Sequence, residues 1–437
     1  MRSAQASAPC PVRTATRRGI GILLLLASCL VLAGLGRETS ADPSLRVTVH
    51  DREGLLRAAA DARPGTRIGL MSGYYAGGVT LVGLRGEPDR PIVIHGIRTD
   101  RPPVFDGGTT GLHLIDPMHV VVRGLHVRNA TGNGINVDDG GTPETPAHDV
   151  VLQDLVVKDI GPAGNCDGIK LSGVTSFRVE GCTVERWGRA GSAVDMVGCR
   201  HGVVTRCTFR HEPGLERGSG VQMKGGTRDT WVHGCRFEHA GARAINAGGS
   251  TGLDYFRPPL STWEGDRFEA KDLVIAGNVI VGSQAAVAFV GVDGSRFAFN
   301  TILHPGRWAF RILQENTAEG FVPCRGVEVA DNLIVFHSQA WSEGGVNLGA
   351  GTEPATFHFA RNHWFAHDAP RGTHLFVRTP SKDPEARFGE DPQLLDPRLG
   401  EDGVRPGSPA ADVGAHARGA VGPPPGPARG APLGRSR

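Results

Sequence analysis

A one-sided charge is missing from this chain: 47 basic residues stand against 45 acidic ones, a net charge of +2. Neither a basic run nor a nucleic-acid-binding motif is present, so no nucleic-acid partner is expected. Aromatic residues are scarce at 6%, while glycine numbers 63. A membrane-embedded bundle would be far more apolar, and a long helical array would tolerate much less glycine. Close CxxC pairs are absent as well, which argues against a zinc site built from cysteine pairs. Long hydrophobic runs are confined to one, IGILLLLASCLVLAGLG at 20–36.

That run follows Arg13, Arg17 and Arg18 and precedes the small residues Thr39, Ser40 and Ala41. Residues 1–41 therefore read as an export signal cleaved before Asp42, with lipid attachment at Cys29 in LASC (26–29) as the alternative. The expectation is a secreted or periplasmic protein, monomeric, with no transmembrane helix in the mature chain. Export permits disulfides among Cys166, Cys182, Cys199, Cys207, Cys235 and Cys324.

What the sequence does have is a short phrase said many times. GVQMKGG (220–226) alternates apolar Val221 and Met223 with polar Gln222 and Lys224, then stops at glycine. This is a strand with one buried and one wet face. GINVDDG (134–140), GIKLSG (168–173), AVDMVG (193–198), AINAGG (244–249), AVAFVG (286–291), AFRILQ (309–314) and GVNLGA (345–350) repeat it. A second phrase centres on Leu125, Leu155, Cys182, Cys207, Cys235, Asn278, Asn300, Asn332 and Asn362. The cysteines read as small thiols stacked at a buried turn, and the asparagines as a stack bonding along the axis. Such a period predicts an all-β protein, a single right-handed parallel β-helix of roughly nine to eleven coils. Asp51 is placed to cap a helix bearing Leu55, Leu56 and Ala59, an N-terminal cap over the first coil. The expected segments are 1–41 signal, 42–110 cap and first coils, 111–380 β-helix, 381–416 irregular tail and 417–437 disordered. A long step from Cys235 to Asn278 marks an insertion at 250–272 carrying Tyr255, Arg257 and Trp263.

Alternation directs Ile135, Ile169, Val194, Val221, Ile245, Val287, Phe310 and Val346 inward. It directs Asn136, Lys170, Asp195, Gln222, Asn246, Ala288, Arg311 and Asn347 outward, with Lys224 two residues beyond Gln222. Amides and charges in a long groove suit a polysaccharide partner. Lys224 is the candidate base, Asp195 an alternative base or acid, and Arg243 a nearby cation that, with Lys170, lowers the lysine pKa. Lys170, Gln222, Asn246, Arg257, Trp263 and Arg311 are the candidate substrate-binding residues. A hydrolase needs a second carboxylate, and none is evident on the face of Asp195; Asp138, Asp167 and Glu216 are nearest in sequence. A non-catalytic glycan-binding or structural β-helix is the remaining reading.

The opening LLRAAADARPGTRIGLMSGYYAGGVTL, EPDRPIVIHG and PPVFDG resembles that of the chondroitinase-B-like and alginate-lyase-like proteins of polysaccharide lyase family six. The tail DPQLLDP and RPGSPAADVGA resembles the ends of secreted β-helix proteins of the pectate-lyase-like type. The resemblance implies β-elimination on a uronic-acid polymer and places Lys224 of VQMKG at the catalytic lysine. It puts Ala247 where the family has arginine, with Arg243 close but out of phase. Calcium is a family cofactor, but its glutamate positions hold Ser219 and Arg217, so no cofactor is assigned and the metal ligands stay unknown. NCDGIKLSG, with Asn165 and Asp167, is similar to a polygalacturonase strand; GSG at 218–220 replaces that family's glycine–histidine–glycine.

Overall fold

The computed structural model describes residues 45–161, 164–395 and 403–417. The expected export segment with Cys29, and the expected disordered stretch apart from its first residue, lie outside the described residues.

Short alternating strands build three parallel sheets of 12, 10 and 12 strands. One coil shows the plan. Ile169–Ser172 lies in the ten-stranded sheet, Val174–Glu180 in the first twelve-stranded sheet and Thr183–Glu185 in the second. The chain then returns as Ser192–Val197, paired in parallel with Ile169–Ser172. Repetition of this circuit makes the chain a parallel β-helix. No described helix is long and apolar enough to cross a membrane.

Register in the ten-stranded sheet follows the alternation. Asn136, Lys170, Asp195, Gln222, Asn246, Ala288, Arg311 and Asn347 stand in one unbroken rank. Their neighbours Ile135, Ile169, Val194, Val221, Ile245, Val287, Phe310 and Val346 are buried in the core. The outer rank is not uniformly wet, however. Asp195 and Asn246 are each only 2% exposed and Ala288 is fully buried. Lysines from adjacent coils cover Asp195. Chain leaving the Asn246 strand folds back over Gln222 and Lys224. A Cβ on Gly249 would lie 3.0 Å from the Gln222 amide nitrogen and 3.1 Å from Lys224 Cβ.

The asparagine column is a continuous ladder. Each of Asn278, Asn300 and Asn332 donates its backbone N–H and its Nδ2 to Oδ1 of the asparagine one coil on, at 2.9–3.1 Å. Asp383 Oδ2 closes the row by accepting the same two donors of Asn362. Cys182, Cys207 and Cys235 precede it as buried thiols that donate to carbonyls of the preceding coil. All six described cysteines are unpaired. A thiol satisfies the carbonyl but is only a weak acceptor along the axis, where an amide oxygen is a strong one.

Asp51 caps the helix Arg52–Ala60 by accepting from Gly54 N at 2.7 Å. Leu55 and Ala58 are its buried residues, with Leu56 and Ala59 partly buried against the core. At the other end, Ala410 and Val413 bury against Leu303, Leu333, Val335 and Phe365.

Asn300→Ala removes an acceptor from two buried donors and a donor from the Ile275 and Ala298 carbonyls. Unpaired buried groups cost about 1–3 kcal/mol each, so urea denaturation should show a loss of at least ~3 kcal/mol. Cys207→Ala should cost about 1 kcal/mol. Equal losses would contradict the ladder.

Candidate functional site

The ten-stranded sheet gathers charge on three successive coils. Lys170 Nζ contacts Asp195 Oδ2 on the next strand and lies 3.3 Å from Asp167 Oδ2. Lys224 Nζ lies 3.3 Å from Asp195 Oδ1 and donates to Gln222 Oε1 at 3.4 Å. Gln222 Oε1 also accepts from Ser192 Oγ at 3.2 Å. Asp195 therefore has an acidic partner after all. Asp167 sits at the corner before its strand, where alternation says nothing about direction. It is pinned there by Ser192 N–H on Oδ1 at 2.8 Å and by its own N–H on Asn133 Oδ1.

Exposure divides the cluster by sign. The Lys170 and Lys224 side chains are 28% and 20% exposed, those of Asp167 and Asp195 only 5% and 3%. The carboxylates are a buried backing and the lysine side chains above them are partly exposed. Burial, and then the charge of Asp195, push the Asp167 carboxyl up to about 6 against the pull of Lys170. Burial alone would lower Lys170, but Asp195 and Asp167 outweigh it and raise its pKa above the ordinary lysine range.

The corner after Lys224 is fixed by a residue the sequence did not single out. Buried Glu269 accepts from Gly225 N at 3.0 Å, from Thr251 N at 2.8 Å and Oγ1 at 2.7 Å, and from Asn316 Nδ2 at 3.1 Å. It ties both ends of the insertion to the turn beside Lys224. The insertion itself runs back across earlier coils. Arg257 N–H donates to Gly225 O, and its guanidinium reaches Asp139 Oδ1 at 3.4 Å. Gly198, at φ 62°, is needed beneath it, since a Cβ there would lie 2.2 Å from Arg257 Cβ. Trp263 is held within the loop by Phe256 and Phe268, its indole N–H donating to Pro258 O at 3.0 Å. Tyr255 is the exposed aromatic of this segment.

Arg243 is not joined to Lys224 by any hydrogen bond or ion pair among the described residues; it faces Glu315 at 3.6 Å. Arg311 donates to Asn347 Oδ1 at 2.9 Å and stacks with Arg307 on Trp308. Burial, then the charge of Arg243, lower the Arg311 pKa. These arginines make a second cationic group toward the C-terminal coils. Asn246 Oδ1 is buried without a hydrogen-bond partner. Toward the N-terminal coils, His113 Nε2 and Asn136 Nδ2 both meet Asp138 Oδ2, at 2.5 and 2.9 Å. His113 stands in register with Asn136; extending the alternation one strand back would have found it.

Ala247 pairs with Met223 and Phe289 and is fully buried. That position faces the core and has no room for an arginine. Buried Ser219 and exposed Arg217 offer no carboxylate, so the residues present do not fit the family's calcium ion.

No protein-family model and no curated protein sequence matches the chain. Similar solved structures include an alginate lyase from Paenibacillus sp. str. FPU-7, 18% identical with a TM-score of 0.49, covering 72% of this chain and 99% of that one. A mannuronic acid specific polysaccharide family 6 lyase from human gut microbiota is 13% identical at a TM-score of 0.46, covering 73% and 80%. Pectate lyase Pel9A is 12% identical at 0.47, covering 85% and 90%. Likeness at this level bears on neither reaction nor site, and the architecture stands on the strand pairing.

Folded Asp167 keeps a proton that the unfolded chain releases between pH ~4 and ~6. Its burial therefore costs more stability as pH rises through that window. The Tm of the wild type minus that of Asp167→Asn should fall from about pH 4 to about pH 6 and level off beyond. A flat difference would contradict the shift.

Proposed function

We propose that the chain is an exported polysaccharide-active protein whose ten-stranded sheet binds a uronic-acid-containing polymer, and that it cleaves this polymer by β-elimination. The observation that carries the reading is the partly exposed pair Lys170 and Lys224 over the buried carboxylates Asp167 and Asp195. A strip of cations along parallel coils matches an extended anionic chain. Lys170 is the group to hold the uronate carboxylate and neutralise the enolate that forms beside it.

Elimination removes the proton α to the carboxylate, forms a carbon–carbon double bond and expels the glycosidic oxygen from the adjacent carbon as a hydroxyl, with a proton taken from solvent. Lys224 is the proposed base. Its ammonium must first lose a proton, and Asp195 at 3.3 Å is the acceptor in reach. Arg243 and Arg311 extend the strip toward further sugar units, and Gln222 and Arg257 border it, while Asn246 is too buried to meet a sugar. The helix Arg52–Ala60 is proposed to close the first coil.

One observation favours a second reading. Asp167, with a pKa of about 6 beside Asp195, is a carboxyl pair of the kind a glycoside hydrolase uses. Its near-complete burial argues against contact with a sugar.

Purified protein incubated with alginate, chondroitin, dermatan, pectate and neutral glycans separates these readings. Unsaturated uronate ends absorbing in the ultraviolet support elimination. New reducing ends without that absorbance support hydrolysis, and retention without either supports binding alone. On the polymer that is cleaved, Lys224→Ala should reduce turnover about 10²–10⁴-fold. It should cost only about 1 kcal/mol of stability, because Asp195 keeps Lys170. Wild-type turnover in Lys224→Ala, with loss in Asp195→Asn, would move the base to the carboxylate.

A further inference from the structure

A separate cluster lies on the first twelve-stranded sheet. In strands Met118–Arg123 and Ala147–Gln153, Met118 pairs with His148 and Val120 with Val150. His119 and Asp149 consequently stand side by side in neighbouring coils. Both are left-handed, with φ of 51° and 55°. In a regular strand, the adjacent residues His148 and Asp149 would point to opposite faces. The left-handed conformation at Asp149 brings them together instead. Asp149 Oδ2 lies 2.7 Å from His148 Nδ1 and 3.3 Å from His119 Nδ1. The two imidazoles meet edge to face with centroids 4.9 Å apart. Among the described residues, no other group of three His, Cys, Asp or Glu side chains has donor atoms all within 4.8 Å of one another.

We propose that His119, His148 and Asp149 form a binding site for a divalent metal ion of the zinc class. Two imidazole nitrogens and one carboxylate oxygen favour zinc, copper or nickel over calcium or magnesium. Metal–ligand bonds near 2.1 Å place donor atoms roughly 3.0–3.5 Å apart; the two carboxylate–imidazole separations are within a few tenths of an ångström of this, and the two imidazole donors lie within 4.8 Å of each other. Both Nδ1 atoms approach the same carboxylate oxygen, so one ion beside it would engage all three donors. The side chains of His119, His148 and Asp149 are 16%, 29% and 28% exposed, which leaves an approach from solvent and further coordination positions open. The same column continues to His201 and Asp229, but these are 3.9 Å apart, 61% and 41% exposed, and part of no such three-residue group. The site joins two adjacent coils, so its role is a staple on the solenoid.

The test uses the full purified protein, stripped with chelator and titrated with Zn²⁺ by calorimetry while Tm is followed. One Zn²⁺ per chain with a rise in Tm is expected. His148→Ala, and Asp149→Asn, which suits the left-handed backbone, should each weaken binding at least about tenfold and remove the Tm rise. Circular dichroism of both variants checks that they fold. His367→Ala, in the histidine group of His304, His337 and His367, should bind as the wild type does. No stoichiometric binding, binding unchanged in Asp149→Asn, or binding lost in His367→Ala would each overturn the proposal.

Discussion

In-register stacking of parallel coils is the constraint on which the rest depends. Neighbouring strands lie about 4.8 Å apart, so every strand position becomes a column and each side chain must be compatible with its copies above and below. An outward charge is answered from the adjacent coil. Lys170 and Lys224 meet Asp195 this way, as Arg128 meets Asp106, Lys271 meets Asp293 and Arg361 meets Asp331. The basic partner is partly exposed in each, while Asp293 and Asp331 are buried and Asp106 is not. In the Asp195 cluster two lysines share one buried carboxylate, so loss of Lys224 leaves it Lys170, whereas loss of both would strand a buried charge.

The same constraint explains the corners. An amide that both donates and accepts along the axis propagates from coil to coil, as Asn278, Asn300 and Asn332 do. The cysteine stretch of this column makes only the weaker bonds of a thiol, to carbonyls of the preceding coil. Glycine corners allow the insertion to lie directly on the coils, with Glu269 locking it beside Lys224. The turn after Lys224 and the insertion beside it thus share one anchor.

How much was legible in the sequence follows from this geometry. Alternation in GVQMKGG and its relatives places Gln222 and Asn246 outside and Val221 and Ile245 inside, and pairing bears that register out. The asparagine ladder is legible because its residues recur at one point of the period. Alternation reports direction but not what lies on top, so the burial of Asp195 and Asn246 was hidden. Asp167 was named in the sequence, but its place beside Asp195 was not legible because a corner has no period-2 signal. Arg257 reaches Asp139 by a loop that crosses back over earlier coils, a path with no local signature. His148 and Asp149 converge only because the left-handed Asp149 breaks the alternation on which the reading relied.

The central claim is that the outer face of the ten-stranded sheet, centred on Lys170 and Lys224, receives an anionic polysaccharide. Hydrogen exchange with and without a uronate oligosaccharide tests it directly. The account predicts added protection in 168–173, 192–198 and 219–226 and in the insertion, fading as salt screens the lysines. Protection confined to either twelve-stranded sheet, or none with any uronate polymer, would contradict it.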